Sequence, residues 1–182
     1  MKFTETGFQG LLIFEPLVHS DSRGYFMESF NRETLRKAGI AFSPVQDNES
    51  SSVRGVIRGL HYQLRPFDQA KLIRVIEGKI IDVALDLRKT SVTYGKWCAV
   101  ELDSESKKQL FIPKGFAHGF SVLSKSAVIL YKCDNLYRPS HERGIDLNDP
   151  TLGIDWKISP DKAIISEKDL KNPHFRDAEN NF

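Results

Sequence analysis

Short apolar segments separated by turn residues run through most of the chain, and many of them have the two-residue period of β-strands. The clearest alternation lies in KIIDVALDLRK, residues 79–89, where one face carries Ile81, Val83, Leu85 and Leu87 and the other carries Asp82, Ala84, Asp86 and Arg88. Further strands are predicted in GLLIFEPLVHS, KQLFIP and AVILYKCDN. Glu77–Gly78 is expected to form a hairpin turn before residues 79–89. Many short strands predict an all-β sandwich or barrel.

Helical patterns are few and short. The segment NRETLRKAG has Asn31 as a predicted N-cap and Gly39 as a predicted C-terminal stop. In SEKDLK, Ser166 is followed at the third position by Asp169, which is the spacing of a capping box. The polar tail, residues 172–182, is expected to fray.

Composition and charge exclude several classes of protein. The length of 182 residues fits one globular domain spanning residues 1–182. The net charge is +2 with no run of Lys or Arg, so neither nucleic acid nor a membrane surface is an expected partner. No apolar run approaches the roughly 18–20 residues of a membrane span, and the first ten residues lack the apolar core of a signal peptide. Cys98 and Cys133 lack metal-ligand spacing and are expected to be free, buried thiols in a reducing compartment.

The segment FIPKGFAHGF, residues 111–120, carries the pattern P-x-G-x-x-H through Pro113, Gly115 and His118. It resembles the second motif of cupins, which are double-stranded β-helix (jelly-roll) barrels. In metal-binding cupins this histidine is a ligand and the first motif supplies an H-x-H pair and a glutamate, whereas GLHYQ offers His61 alone. Two histidines are too few for a stable transition-metal site, so the resemblance implies a cupin barrel without a metal. A core histidine with satisfied hydrogen bonds explains this decapeptide equally well.

Several ordered motifs together resemble the dTDP-4-dehydrorhamnose 3,5-epimerases of the dTDP-L-rhamnose pathway. They are RGYFMESF from Arg23, QDN from Gln46, RGLH from Arg58, Lys71, FAHGF from Phe116, LYK from Leu130, LNDPTLGIDW from Leu147 and SEKD from Ser166. The resemblance covers nearly the whole chain. It implies a substrate that is a dTDP-linked 4-keto-6-deoxyhexose and a product that is dTDP-4-dehydro-L-rhamnose. It also implies no cofactor, a cytoplasmic location and a homodimer in which RGYF lies near the partner's pocket.

The resemblance assigns catalytic roles to individual positions. His61 matches the general base, Asp169 the carboxylate paired with it, and Tyr131 the general acid. Lys71 and His118 match residues beside the reacting ketone. The chemistry suits these residue types, because imidazole has an ordinary pKa of about 6.5 and a phenol stays protonated at neutral pH. A lysine supplies positive charge to the oxygen of an enolate.

The resemblance also implies a set of substrate-binding positions. Arg58 matches a residue close to the phosphate and sugar, and Tyr137 an aromatic side chain that stacks on thymine. Positions that bind the rest of the nucleotide and its phosphates are matched by Arg23, Phe26, Glu28, Gln46, Asp47, Asn48, Glu142 and Lys168. Leu136 and the loop Leu64–Ala70 depart from the family pattern, which leaves the preferred nucleotide and sugar open.

Other interpretations remain compatible with the residues alone. Asp169 can be the third residue of a capping box, Tyr131 a core aromatic and Lys71 an exposed lysine. Three rival functions also remain: an epimerase that inverts only C3 or only C5, a metal-dependent cupin oxygenase or isomerase, and a non-catalytic sugar-binding barrel.

The segment VIRGLHYQ poses a geometric problem. In a regular strand Arg58 and His61 would point to opposite faces, because their positions differ by three, which is an odd number. Glycine permits a bulge that redirects side chains. We therefore expect an irregularity at Gly59–Leu60 that lets both Arg58 and His61 line the barrel interior.

Overall fold

Two antiparallel β-sheets face each other in the computed structural model, which describes residues 2–182. With strands numbered along the chain, the six-stranded sheet has the order β1 (Lys2–Glu5), β2 (Leu12–Glu15), β10 (Gln109–Ile112), β7 (Lys71–Glu77), β12 (Ser126–Cys133) and β5 (Gln46–Val53). The five-stranded sheet has the order β13 (Glu142–Gly144), β6 (Ile57–Gln63), β11 (Phe116–Val122), β8 (Lys79–Asp86) and β9 (Trp97–Asp103). A separate hairpin joins β3 (Val18–Asp21) to β4 (Gly24–Met27). The all-β, cupin-type jelly-roll barrel expected from the sequence is confirmed.

Strand β8 shows how the barrel uses both faces of one strand. Ile81, Val83 and Leu85 pack in a core on the outer face of the five-stranded sheet, as the alternation predicts. Ile80 and Ala84 on the other face belong to a second core between the two sheets. Both faces of β8 are therefore buried, and its polar positions point into the barrel rather than into solvent.

The prediction of a hairpin turn at Glu77–Gly78 is wrong. Strand β7 pairs with β10 and β12, whereas β8 pairs with β11 and β9, so this turn carries the chain from one sheet to the other. Gly78 has a φ of +82°, and a Cβ atom there would clash with the backbone oxygen of Ser126. Residue 78 must therefore be glycine, because its φ is positive and because no room is left for a Cβ atom.

The predicted helix is confirmed as α1 (Arg32–Lys37), and the Asn31 side chain accepts hydrogen bonds from the backbone N–H groups of Glu33 and Thr34. The remaining helical turns are short 3₁₀ segments at Pro139–His141, Pro160–Lys162, Asp169–Lys171 and Phe175–Asp177. Among residues 2–182, none of these helices has the length and apolarity needed to cross a bilayer.

The prediction that the tail frays is wrong. Phe175 and Phe182 pack against the outer core of the five-stranded sheet. The Tyr62 hydroxyl donates to the backbone oxygen of Glu179 at 2.5 Å, and the Asn180 amide donates to that of Leu87 at 2.7 Å. The C-terminal segment therefore covers one face of the barrel.

Asp86 is a fully buried carboxylate at the end of β8. The Arg88 guanidinium donates to it at 2.9 and 2.8 Å, and the hydroxyls of Ser91 and Thr93 donate at 2.7 and 2.6 Å. Burial raises the pKa of Asp86, but these donors outweigh it and lower the pKa to about 2.

The depressed pKa of Asp86 predicts a pH-dependent contribution to stability. Above the unfolded-state pKa near 4, ionised Asp86 contributes roughly 2 kcal/mol, and this contribution is lost as the pH falls towards 2. The free energy of unfolding of the wild type should therefore exceed that of Asp86→Asn most at pH 6, and the difference should shrink at pH 3. Urea denaturation at both pH values measures it. A difference that does not change with pH would contradict the assignment.

Candidate active site

A histidine–carboxylate pair lies on the inner face of the five-stranded sheet. The Nε2 atom of His61 is 2.6 Å from Oδ1 of Asp169, which comes from the 3₁₀ turn near the C-terminus. The Asp169 carboxylate is buried and also accepts a long hydrogen bond from the backbone N–H of Gly59 at 3.5 Å. Burial raises the pKa of Asp169, but its contact with His61 and the other hydrogen bonds hold that pKa below its usual value. An ionised Asp169 fixes Nε2 as the protonated nitrogen of His61 and leaves Nδ1 free to act as a base.

The capping interpretation of Asp169 accounts for only part of its contacts. Its backbone N–H donates to Oγ of Ser166 at 3.1 Å, as an N-cap contact would. Its side chain also contacts His61, which lies 108 positions away in the sequence.

The irregularity predicted at Gly59–Leu60 is confirmed. The register between β6 and β11 shifts at this point, Gly59 has a φ of +131°, and the Gly59–Leu60 peptide bond is cis. A Cβ atom on Gly59 would lie 2.5 Å from the Cα atom of Gly119, so the close approach of the two strands requires glycine. Leu60 consequently packs in the outer core while His61 points inwards.

The expectation that Arg58 lines the barrel interior is met only in part. Its Nε atom donates to Oγ of Ser52 at 3.1 Å, and Ser52 occupies the same face of β5 as Gln46 and Asn48. Arg58 therefore shares the inward face with His61, but its side chain is exposed and is not part of the cavity lining.

The six-stranded sheet supplies the opposite wall of the cavity. Tyr131 and Cys133 of β12 and Lys71 of β7 project towards the His61 side, and the cavity has a volume of about 110 Å³. Its full lining consists of Gln46, Asn48, His61, Tyr62, Gln63, Gln69, Lys71, Tyr131, Cys133, Tyr137 and Glu142. Burial raises the pKa of the Tyr131 phenol and lowers the pKa of the Lys71 amine. The phenol is therefore protonated at neutral pH and can donate a proton.

A second imidazole–carboxylate contact lies deeper in the barrel. Nε2 of His118 is 2.9 Å from Oδ2 of Asp82, and both residues are buried. His118 stands directly opposite His61 in the register between β11 and β6. Within residues 2–182, no group of three or more His, Cys, Asp or Glu side chains is arranged to hold a metal ion.

Three expected binding residues form a chain at the mouth of the cavity. The Tyr137 hydroxyl donates to Oε2 of Glu142 at 2.7 Å, and the Lys168 ammonium lies 2.5 Å from the same oxygen. The contact with Glu142 is the main cause that raises the pKa of Tyr137 and that of Lys168. Tyr137 and Lys168 are exposed, so the aromatic ring and the cation are accessible to a ligand.

Four expected binding residues lie away from this cavity. Asp47 points outwards from β5 to the Lys132 ammonium at 2.6 Å, because alternate residues of a strand face opposite sides. The exposed residues Arg23, Phe26 and Glu28 lie in and just after the β3–β4 hairpin. The Arg23 guanidinium binds Asp21, and the Glu28 carboxylate accepts from Asn31.

The family of the chain follows from its similarity to known proteins. Residues 5–177 match the family model described as dTDP-4-dehydrorhamnose 3,5-epimerase. The chain belongs to the dTDP-4-dehydrorhamnose 3,5-epimerase family. The family member of Methanothermobacter thermautotrophicus is 53% identical over 169 residues, which cover 92% of this chain and 91% of that protein.

Solved structures of the dTDP-4-dehydrorhamnose 3,5-epimerase family share the fold. The enzyme of Elizabethkingia anophelis is 47% identical with a TM-score of 0.94, covering 100% of this chain and 99% of that one. The dTDP-6-deoxy-D-glucose-3,5-epimerase of Legionella pneumophila, solved in complex with dTDP-4-keto-L-rhamnose, is 43% identical with a TM-score of 0.92, covering 96% of this chain and 93% of that one.

Sequence reasoning missed five side chains in or beside this epimerase-family cavity, two of which are Tyr62 and Cys133 of the lining. Gln63 and Gln69 line it, and Asp82 contacts His118 behind it. The alternation along residues 79–89 assigns Asp82 to the face opposite the outer core, which is a usable indication. The two glutamines have no such pattern, because their positions depend on how β6 and the following loop close the barrel.

Proposed function

We propose that the chain is a dTDP-4-dehydrorhamnose 3,5-epimerase, which converts dTDP-4-dehydro-6-deoxy-D-glucose into dTDP-4-dehydro-L-rhamnose. The observation that carries this proposal is the cavity between the sheets. It has the His61–Asp169 pair on one wall and the Tyr131 phenol on the other. Inversion of a carbon next to a ketone needs a base on one side and a proton donor on the opposite side, and this arrangement supplies both.

The reaction can be written with these groups. Nδ1 of His61 removes the hydrogen from C5 or C3 as a proton, and the electron pair of the broken C–H bond moves into an enolate at the C4 ketone. Asp169 stabilises the resulting imidazolium. Tyr131 then donates its proton to the other face of the same carbon, which inverts it. Proton exchange with water restores both groups before the second carbon reacts.

Lys71 is the proposed stabiliser of the enolate. Its ammonium lies in the same cavity, and a well-aimed donor to an oxyanion contributes roughly 3–4 kcal/mol. Burial lowers the pKa of Lys71, while the negative charges of nearby groups, Asp82 and Glu142 among them, partly offset that effect.

The mouth of the cavity suits a nucleoside diphosphate. Tyr137 offers an exposed ring for stacking on a base, and Arg58 and Lys168 offer cations for phosphates. Base stacking tolerates any base, so the preference for thymidine rests on family membership.

We infer that the active form is a cytoplasmic homodimer. Phe26 and Tyr25 on the β3–β4 hairpin are 71% and 54% exposed, and a partner subunit would bury them. In that arrangement Arg23, Phe26 and Glu28, which lie away from the cavity of their own chain, would reach the partner's cavity. Light scattering should give about twice the chain mass of 20.7 kDa, and a monomer at that mass would contradict the inference.

The deciding experiment incubates the wild-type protein with dTDP-4-dehydro-6-deoxy-D-glucose in D₂O and follows the sugar by NMR. We expect deuterium at both C3 and C5 and the L-rhamno ketone as product. Deuterium and inversion at a single carbon would establish a mono-epimerase instead. Binding without any exchange would indicate a sugar-binding barrel, and turnover lost on chelation with stoichiometric metal present would indicate a metal-dependent cupin.

A further inference from the structure

Two polar residues, His118 and Asp82, interrupt the apolar core between the sheets. On β11, His118 lies between Phe116 and Phe120 of the inner core, and on β8, Asp82 lies between Ile80 and Ala84. Asp82 is 0% exposed, and its Oδ2 atom is 2.9 Å from Nε2 of His118. A buried carboxylate is costly unless it is paired and hydrogen-bonded, so an apolar residue would stabilise this core better.

Only one of the two Asp82 carboxylate oxygens has a hydrogen-bond partner among the described residues. The other oxygen, Oδ1, is buried and lacks one. A buried acceptor without a partner costs free energy. The negative charge of Asp82 also acts on Lys71, since it counteracts the lowering of the Lys71 pKa by burial. His118, rather than Lys71, is the group in hydrogen-bond contact with the carboxylate.

We propose that Asp82 is a positioning residue for the epimerisation: it holds His118 through Nε2 and is the counter-ion of that imidazole, while Lys71 is the second cation of the site. Both side chains can then present positive charge to the enolate oxygen at C4. This inference rests on the proposed function. Asp82 itself does not touch the substrate, and because Asp82 holds Nε2, Nδ1 is the nitrogen of His118 that remains available to donate to the enolate.

Charge balance supports this role. In this proposal the site contains two cations, His118 and Lys71, and two anions, Asp82 and the enolate oxygen, when the enolate forms. Without Asp82 the empty site would hold two neighbouring cations with little solvent, and one of them would lose its proton. The enolate would then lose one of its two positively charged partners at the step where charge develops.

The test is the isosteric variant Asp82→Asn, assayed for kcat and KM. We expect kcat to fall about 10²-fold, as for loss of one oxyanion-stabilising group, and KM to change much less. Asp86→Asn is the matched control, because Asp86 is a fully buried aspartate on the same face of β8. Its kcat should match the wild type at temperatures where both are folded. An unchanged kcat in Asp82→Asn would overturn the proposal.

A double-mutant cycle with His118→Asn separates positioning from a general effect on the fold. If Asp82 acts chiefly through His118, the double variant should be nearly as active as His118→Asn alone. Fully additive losses would overturn the role. The ¹⁵N shifts of the His118 ring add a readout without turnover: Nε2 should carry the proton in the wild type and lose that preference in Asp82→Asn. A wild type that epimerises nothing would refute the proposed function, and the ¹⁵N shifts alone would then decide whether Asp82 holds His118.

Discussion

His61→Ala should lose both epimerisation and the exchange of substrate hydrogens with solvent. The C–H bonds beside the ketone can break only if a base accepts the proton, and positioned proton transfer typically contributes ~10²–10⁴-fold. The two carboxylates near that wall are already engaged: Asp169 is buried behind the histidine, and Glu142 is bound by Tyr137 and Lys168. Tyr131 faces it from the other sheet with a pKa raised by burial. We therefore expect kcat to fall by about 10³-fold, and deuterium uptake at C3 and C5 to fall with it.

The measurement is the same D₂O incubation, with uptake at each carbon read before the product accumulates. His174→Ala is the control, because His174 is exposed and lies 3.4 Å from Asp146 away from the cavity. It should behave as the wild type. Rapid deuterium uptake in His61→Ala would show that another group is the base.

Tyr131→Phe should still exchange the substrate hydrogens with solvent but should invert the carbon much more slowly. The phenyl ring keeps the shape of the cavity wall but has no proton to give, so the enolate can form and can be reprotonated only from the His61 side. We expect formation of the L-rhamno ketone to fall by ~10²–10⁴-fold. Deuterium should still enter the substrate with its original configuration.

Tyr94→Phe provides the matched control for the loss of a hydroxyl. Tyr94 packs on Phe175 with ring centroids 5.4 Å apart and is not part of the cavity lining. Its kinetics should be those of the wild type. If Tyr131→Phe lost exchange as fully as His61→Ala, the phenol would act in proton removal and the assignment of acid and base would be wrong.

The strand pattern predicted most of the barrel because alternation reports directly on packing. Ile81, Val83 and Leu85 lie in the core as expected. The pattern could not show that the opposite face of β8 is buried too, since a polar residue inside a barrel looks the same in sequence as one in solvent. The sequence also favours a hairpin turn at Glu77–Gly78, because consecutive strands usually pair, whereas here the two strands belong to different sheets.

The geometry of the site could be predicted from the sequence wherever a single local feature determines it. Gly59 indicated the break in β6, and the odd spacing of Arg58 and His61 required one. The outward direction of Asp47 could also have been predicted, because Gln46 and Asn48 flank it on the strand and must face the other way. The contact between Asp169 and His61 depends on how the C-terminal segment folds over the barrel, which no local pattern encodes.

The tail prediction failed for a related reason. A polar segment is expected to fray when its backbone has only water as a partner. Here the backbone oxygen of Glu179 accepts from Tyr62, and Phe182 packs near the same tyrosine ring. A few long-range contacts were enough to fix residues that look unstructured in isolation.

The late position of Asp169 has a consequence for how activity appears during synthesis. Every strand in the described part of the chain precedes it, whereas its partner His61 lies in the sixth strand. A nascent chain can thus pair its strands while the carboxylate is still inside the ribosome, since domains begin to fold as they emerge. Such an intermediate is a barrel with a histidine but no complete base, so it cannot act on a nucleotide sugar before translation of the C-terminal segment.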